Sequence, residues 1–452
     1  MQLRLVIAAA LVLGLWVQPG RLIAQRVDRA SNKPNVVLIM MDDLGYGDIG
    51  SYGGSDAKTP NLDRLARDGV RLTHAYANGA VCTPTRAALI SGRYQQRVGL
   101  EWVVGGTLQA KSGLAATGTS LPALLKKNGY VTGLLGKWHL GGRPEFSPNA
   151  HGFDEFFGFL GGAHDYYRHD NGRDGSPDLY ENTRPIQTAT TYLTDEITQR
   201  AARFIDRHAP QSFFLEVAYN AVHWPFQPPD LAASDARRDI SGRQMPDDAP
   251  PATRRDYLRM LERADEGIGT ILAALERNRV AQNTLVIFTN DNGGEWLSRN
   301  APLYHRKATL WEGGIRVPLI LRWSGRLPKG KTSEQVAITM DLTASILAAT
   351  GTALPTGYRP DGIDILPGLA RQAPTVEREL FWRYVLPQRH QKAVRSGRWK
   401  LLVDGGLYLL FDLNEDPGER RDLAAQHPEL VAKLKALLTD WERDVDQKTP
   451  TQ

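Results

Sequence analysis

The chain is poor in cysteine: it has one, Cys82, among 452 residues. A lone thiol excludes an intramolecular disulfide framework and any cysteine-rich zinc module. No Asn-x-Ser/Thr sequence occurs, which weakens a eukaryotic lysosomal reading. Internal repeats, low-complexity tracts and long runs of one charge are missing as well. The apolar run Leu5 to Val17 is too short for a comfortable membrane span. What is present is ordinary for a folded protein, with 42% hydrophobic and 23% charged residues, enough to bury a sizeable core. The length allows two or three domains, or one large α/β domain with an appendage. A formal charge of +5 suggests a surface that tolerates anions, but no nucleic-acid motif accompanies it.

The N-terminus points to a compartment. Basic Met1 to Arg4, the apolar run, and the turn-like Gln18-Pro19-Gly20 ahead of Ala24 form a secretory signal pattern. We expect a signal peptide over residues 1–24, the competing reading being an uncleaved anchor. Cleavage removes Arg4 and Arg21 and leaves a mature chain of charge +3 with no membrane span. The expected location is periplasmic or secreted, in a bacterium. An exported free thiol then needs an explanation.

Asn35 to Met41 is a continuous apolar run ending in Asp42-Asp43, as in a strand buried on both faces of a parallel sheet. Val131 to Gly136, Phe213 to Ala218, Thr284 to Thr289 and Val317 to Trp323 are further strand candidates. Thr194-Asp-Glu reads as a helix N-cap, and Arg254 to Asn278 carries helical apolar spacing. The alternation predicts a doubly wound α/β fold, a large mixed, mostly parallel sheet flanked by helices, over about 33–370. Beyond it, over 371–446, we expect a small α+β domain. Ala393 to Val403 and Leu407 to Leu413 would form antiparallel strands around Asp404-Gly405-Gly406, and Pro428 to Val445 a final helix. The Pro-rich stretch Pro225 to Pro251 reads as a surface loop near the site.

In such sheets ligands bind beyond the carboxyl ends of the strands. Asp42-Asp43 and Asp291-Asn292 stand there, and their oxygens suit a hard cation such as calcium or magnesium, although Asp and Asn also follow strands as turn formers or caps. Cys82 opens Cys82-Thr-Pro-Thr-Arg86, followed by a short helical stretch to Gly92. A helix N-terminus lowers a thiol pKa and attracts anions. A lone buried cysteine is also commonly structural, and a plain Cys–His hydrolase is a third reading.

The chain resembles the type I sulfatases of the alkaline phosphatase superfamily along nearly its whole mature length. The likeness is carried by Asp42-Asp43-Leu-Gly-Tyr-Gly-Asp, Cys82-Thr-Pro-Thr-Arg86, Gly136-Lys-Trp-His-Leu-Gly141, His223, Asp291-Asn292-Gly-Gly, and Lys307 with Glu312-Gly-Gly-Ile-Arg-Val-Pro318. Thr85 and Ser91 stand where the family more often has Ser and Thr. The resemblance implies that Cys82 is oxidised by a formylglycine-generating maturation enzyme to 3-oxoalanine, whose hydrate carries two hydroxyls. One attacks sulfur, and proton loss from the other expels sulfate, an exit that an ordinary serine lacks. It further implies that Asp42, Asp43, Asp291 and Asn292 bind one Ca2+, which also contacts the modified Cys82. By the same resemblance Arg86 stabilises the nucleophile, Lys137 and Lys307 hold sulfate oxygens, and His139 assists elimination. His223, with Lys307, would protonate the leaving alcohol. His151 is expected to be structural.

Phe156 to Tyr167 is similar to the matching stretch of arylsulfatase B-like enzymes, which remove sulfate from N-acetylgalactosamine units. Its rings suit stacking on sugars, with His164 and Asp165 as candidate hydroxyl ligands, and they also suit a core. The expected substrate is a sulfated carbohydrate, with aryl sulfates as artificial substrates. The rivals are a phosphate or phosphonate ester hydrolase of the same superfamily, and a non-catalytic binder of anionic glycan.

Overall fold

The computed structural model describes residues 33–106, 111–187, 191–230, 252–386 and 389–447. The expected signal segment and residues 231–251 of the Pro-rich stretch lie outside the described residues. The strands are β1 (Asn35–Met41), β2 (Val70–Leu72), β3 (Ala75–Tyr76), β4 (Val131–Lys137), β5 (Glu155–Phe159), β6 (Tyr180–Glu181), β7 (Arg184–Pro185) and β8 (Phe213–Ala218). They continue with β9 (Thr284–Asn290), β10 (Leu319–Arg322), β11 (Lys331–Ser333), β12 (Ala337–Ile338), β13 (Glu379–Leu386), β14 (Arg389–Ser396), β15 (Trp399–Asp404) and β16 (Leu407–Asp412). The main helices are α1 (Pro60–Arg67), α2 (Cys82–Ser91), α3 (Leu121–Lys127), α4 (Leu193–His208), α5 (Arg254–Arg277), α6 (Glu312–Ile315), α7 (Thr339–Ala349), α8 (Leu366–Arg371) and α9 (Pro428–Val445).

Ten strands form one mixed sheet in the order β11-β2-β10-β9-β1-β8-β4-β5-β6-β7. Its centre, β9-β1-β8-β4-β5, is parallel throughout, while β10 and β6 run antiparallel to it. The unbroken apolar run of β1 has a simple cause: both of its faces are covered. Val37, Ile39 and Met41 pack with Ile197, Phe204 and Leu261 of α4 and α5. Val36, Leu38 and Met40 pack with Leu89, Leu124 and Ile346 of α2, α3 and α7. Each such side chain, taken from water, contributes about 1.5–3 kcal/mol. Register sets the site. Met41 lies opposite Asn290, and Ala218 opposite both Met40 and Gly136, so four adjacent strands end on one line. Gly136 is required there: at φ 114°, a Cβ would sit 1.9 Å from the Ala218 carbonyl oxygen.

Four expectations about elements change. The α4 helix starts at Leu193 with Tyr192 as the cap residue, because Leu193 is anchored in the core and its N–H donates to Tyr166; Thr194 does not cap it. The strand expected over Val317 to Trp323 shrinks to β10, since Pro318 has no N–H for a ladder. The single strand expected over Ala393 to Val403 is two, β14 and β15, turned at Gly397 with φ 57°. A further strand, β13, precedes them, completing an antiparallel β13-β14-β15-β16 sheet. Pro225 to Pro228 are buried rather than at the surface. Within them Phe226 packs against Tyr257, and Gln227 binds Asp165.

The antiparallel sheet and α9 share a third core with Val81, Ala88, Ile315 and Met340. A buried charge cluster joins them as well. Lys400 Nζ lies 2.9 Å from both Glu312 Oε1 and Glu419 Oε1, all out of solvent.

Candidate active site

The α2 helix is buried on every side, so amphipathicity does not explain it. Pro84 falls in its first turn, where a missing N–H costs nothing, and Gly92 ends it at φ 66°. Cys82 opens the helix, and Arg86, one turn on, stands on the same face. Thr85 accepts from Gly79 N–H and Thr83 Oγ1 donates to the His139 carbonyl, so the hydroxyls of the motif fix flanking loops.

The strand ends deliver the remaining groups. Asp42 and Asp43 follow β1, Asp291 and Asn292 follow β9, Lys137 closes β4, and His223 comes five residues after β8. Lys137 Nζ is 2.5 Å from Asp42 Oδ2 and 3.4 Å from Cys82 Sγ, which is itself 3.7 Å from Asp42 Oδ1. Arg86 places Nε and Nη2 on Asp291 Oδ2, at 3.1 and 2.8 Å, and Nη1 on the Lys137 carbonyl at 3.2 Å. Lys307 Nζ reaches Asp43 Oδ2 at 2.7 Å, and His223 Nε2 lies 3.6 Å from the same oxygen. Asn292 Nδ2 donates to Asp43 Oδ1 at 2.8 Å, leaving its buried Oδ1 with no partner among the described residues. Three carboxylates thus face three cations. Potential ligand atoms of Asp42, Asp43, Cys82 and His223 all lie within 4.8 Å of one another.

Two site residues hold left-handed backbone, Asp43 at φ 59° and His139 at φ 57°. Such conformations persist only where surroundings over-determine them. The loop against His139 is admitted by Gly162, whose added Cβ would come within 2.7 Å of the imidazole. Lys307 is fixed from two sides. Its N–H donates to Gly294, while the following residues are held from the antiparallel sheet, Arg389 Nη1 on Ala308 O and Gln391 Oε1 on Leu310 N–H.

Burial, then the Asp291 charge, lift Asp42 to about 8 against the pull of Lys137. Burial would raise Asp43 too, but Lys307, His223 and Lys137 outweigh it and hold it below the usual range. Burial pushes the Cys82 thiol up to about 12, with Asp291 and Asp42 adding to it, so Lys137, Lys307 and the helix terminus do not make it a thiolate. The direction is opposite to the expectation of a lowered thiol pKa. Burial and the neighbouring lysines keep His139 and His223 far below 6.5, and neutral. Because a carbonyl only accepts, the His223 proton sits on Nδ1, facing Trp224 O at 2.5 Å, and Nε2 is a bare acceptor.

His164 and Asp165 stand apart from this cluster. His164 is buried with its ring stacked 4.4 Å from Phe159. The Asp165 carboxylate is engaged by Tyr167 N, Arg168 N, Arg168 Nη2 and Gln227 Nε2, which ties the Phe156–Tyr167 stretch to the loop after His223. His151 binds Leu114 O and packs on Trp138. Glu295, missed from sequence, places Oε2 at 3.3 Å from Lys307 Nζ; its signal was its place directly after Asp291-Asn292-Gly-Gly.

Residues 34–352 match the family model "Sulfatase", and 302–444 the model "N-sulphoglucosamine sulphohydrolase, C-terminal". The chain belongs to the sulfatase family. It is a sulfuric ester hydrolase of the type I kind. N-acetylgalactosamine-6-sulfatase of Canis lupus familiaris is 36% identical over 372 residues, covering 75% of this chain and 66% of that protein. Human arylsulfatase A is 32% identical over 458 residues, covering 89% and 87%. The crystal structure of Ps i-CgsB in complex with k-i-k-neocarrahexaose superposes with TM-score 0.82 at 31% identity, over 92% of this chain and 94% of that one. No helix among the described residues is long and apolar enough to cross a membrane.

Proposed function

We propose that this sulfatase hydrolyses sulfate monoesters of sulfated carbohydrates, using Cys82 in its formylglycine form and one Ca2+ held by Asp42, Asp43, Asp291 and Asn292. The observation that carries the reading is the meeting of Cys82, those four oxygen donors and the cations Arg86, Lys137 and Lys307 in one buried cluster. The donor set fits a hard cation. Its carboxylates and amide are oxygen ligands, and Asn292 Oδ1 is orphaned among the described residues. The names of the relatives, an N-acetylgalactosamine-6-sulfatase and a carrahexaose-bound protein, support a sulfated sugar as substrate.

When present, the cation supplies charge for a sulfate oxygen, and the hydrated formylglycine supplies the attacking and the releasing hydroxyl. The chain's own residues prepare the site. Arg86 spends its fork on Asp291 and so orients a metal ligand beside the nucleophile. Lys137 and Lys307 aim ammonium groups at the place where the sulfate oxygens arrive. Lys307 is kept charged by Asp43 in spite of burial, so it carries the proton for the leaving oxygen, and neutral His223 offers Nε2 as its relay partner. Neutral His139, with Nδ1 unpartnered among the described residues, can take the hydroxyl proton that frees sulfate. Maturation by a formylglycine-generating enzyme, export to the periplasm or beyond, and a division into units over 33–370 and 371–446 belong to the same proposal.

Chelation followed by removal of the chelator should lower aryl sulfate turnover by ~100-fold or more, and added Ca2+ should restore it. Unchanged turnover with metal loss confirmed by elemental analysis contradicts the metal assignment.

A further inference from the structure

Beside the anion cluster lies a group of side chains that the sulfate chemistry does not use. Glu295 and Trp296 follow the Asp291-Asn292-Gly-Gly turn, and the segment is locked. Gly294 N–H donates to Asn300 Oδ1 at 3.0 Å, Asn300 Nδ2 returns to Gly294 O at 2.9 Å, and Ser298 N–H closes on Glu295 O at 3.0 Å. Trp296 sits at φ 43°, a left-handed conformation that a bulky residue adopts only where its surroundings impose it. That strained backbone presents a residue that is 42% exposed.

The ring has a backing that leads to the site. Its centroid lies 6.1 Å from that of Trp224 and 6.2 Å from that of Phe226. Trp224 directly follows His223, the two rings 5.2 Å apart. On the other side of the sequence, Glu295 joins Trp296 to Lys307. Trp296 is therefore one residue removed from the sulfate pocket along two separate routes. Arg173 places its guanidinium carbon 5.8 Å from the Trp224 ring centroid, is exposed, and forms no ion pair with the described residues.

We propose that Trp296, backed by Trp224, is the floor of a sugar-ring subsite flanking the sulfate pocket, and that Arg173 receives a second anionic group of the same glycan. An exposed indole face matches the C–H face of a pyranose, and Glu295 offers carboxylate oxygens to its hydroxyls. Arg173 lies 5.8 Å from the same Trp224 ring that backs Trp296 at 6.1 Å, so the guanidinium and the indole platform share one support and the cation can pair with a sulfate or carboxylate of the bound glycan. The inference rests on the sulfatase reading and narrows it: the substrate is a polyanionic oligosaccharide, not a sugar with one isolated sulfate.

The test uses the full protein with Cys82 conversion verified by peptide mass. Equilibrium binding is measured for chondroitin sulfate and heparin oligosaccharides, with inorganic sulfate and neutral dextran as controls. Turnover of 4-methylumbelliferyl sulfate is followed in parallel. At least one sulfated oligosaccharide should bind more tightly than inorganic sulfate. Trp296→Ala, and Trp296→Asn, which tolerates the left-handed backbone, should weaken that binding by about tenfold. Arg173→Ala should weaken it and flatten its salt dependence, with Arg173→Lys intermediate. All should leave aryl sulfate kcat/KM within about twofold of wild type. The subsite is overturned if both oligosaccharides bind no better than inorganic sulfate, if these variants bind as wild type does, or if aryl sulfate turnover falls in parallel. Intact, variant-sensitive binding in a wild type that fails to hydrolyse the aryl sulfate would instead sink the sulfatase reading and leave the subsite standing.

Discussion

Cys82→Ala is expected to reduce sulfate release by about 10⁴-fold or more while the protein stays folded. The thiol itself makes little of the structure. Its Sγ sits 3.4 Å from Lys137 Nζ and 3.7 Å from Asp42 Oδ1, and losing one small buried atom costs about 1 kcal/mol. Activity is another matter. Burial pushes the thiol up to about 12, which makes an unconverted Cys82 a poor nucleophile at neutral pH, and the proposed mechanism therefore assigns turnover to the aldehyde form. Cys82→Ser should be inactive in turnover too, since it offers one hydroxyl where the hydrate has two. Sulfate release, thermal melting and peptide mass together check this. A variant that melts like wild type and turns over like wild type would contradict the account.

In the metal-free protein Arg86→Ala should be destabilising by about 3–5 kcal/mol, because it leaves the Asp291 carboxylate buried without its partner. Arg86 is 3% and Asp291 0% exposed in the side chain, so water cannot take over. Against a typical total of about 5–15 kcal/mol, such a loss lowers the melting temperature sharply. Arg86→Lys should recover only part of it: one ammonium cannot hold Asp291 through two nitrogens and also bond the Lys137 carbonyl. Adding Asp291→Asn to Arg86→Ala should restore much of the stability but none of the activity, since the unpaired charge and a metal ligand vanish together. Denaturant unfolding of the single and double variants reads the coupling. Additive losses would mean that the pair does not act as a unit.

The sheet was legible because burial on both faces leaves a mark in composition: Val36 to Met41 and Leu285 to Phe288 read as strand interiors because nothing in them had to be polar. Strand ends were legible for the converse reason, since Asp42-Asp43 and Asp291-Asn292 interrupt apolar runs. The β13 strand is not marked out by the sequence, although Leu380, Trp382 and Tyr384 alternate inward along it. Only the partner strands reveal that alternation as a buried face. The protonation states were not legible. A helix N-terminus argued for an acidic thiol, but desolvation is set by packing around Cys82 from α2, β1 and β4, which no local pattern records. Trp296 escaped notice for a similar reason: a single tryptophan after Gly-Gly-Glu carries no signal until the backbone shows it turned outward beside Trp224.

Sulfate esters are the proposed substrates of this cluster. The most direct measurement is kcat/KM for a matched aryl sulfate and aryl phosphate, on Ca2+-loaded protein with Cys82 conversion verified. The account predicts a clear preference for the sulfate, abolished in Cys82→Ala. A clear preference for the phosphate would contradict it.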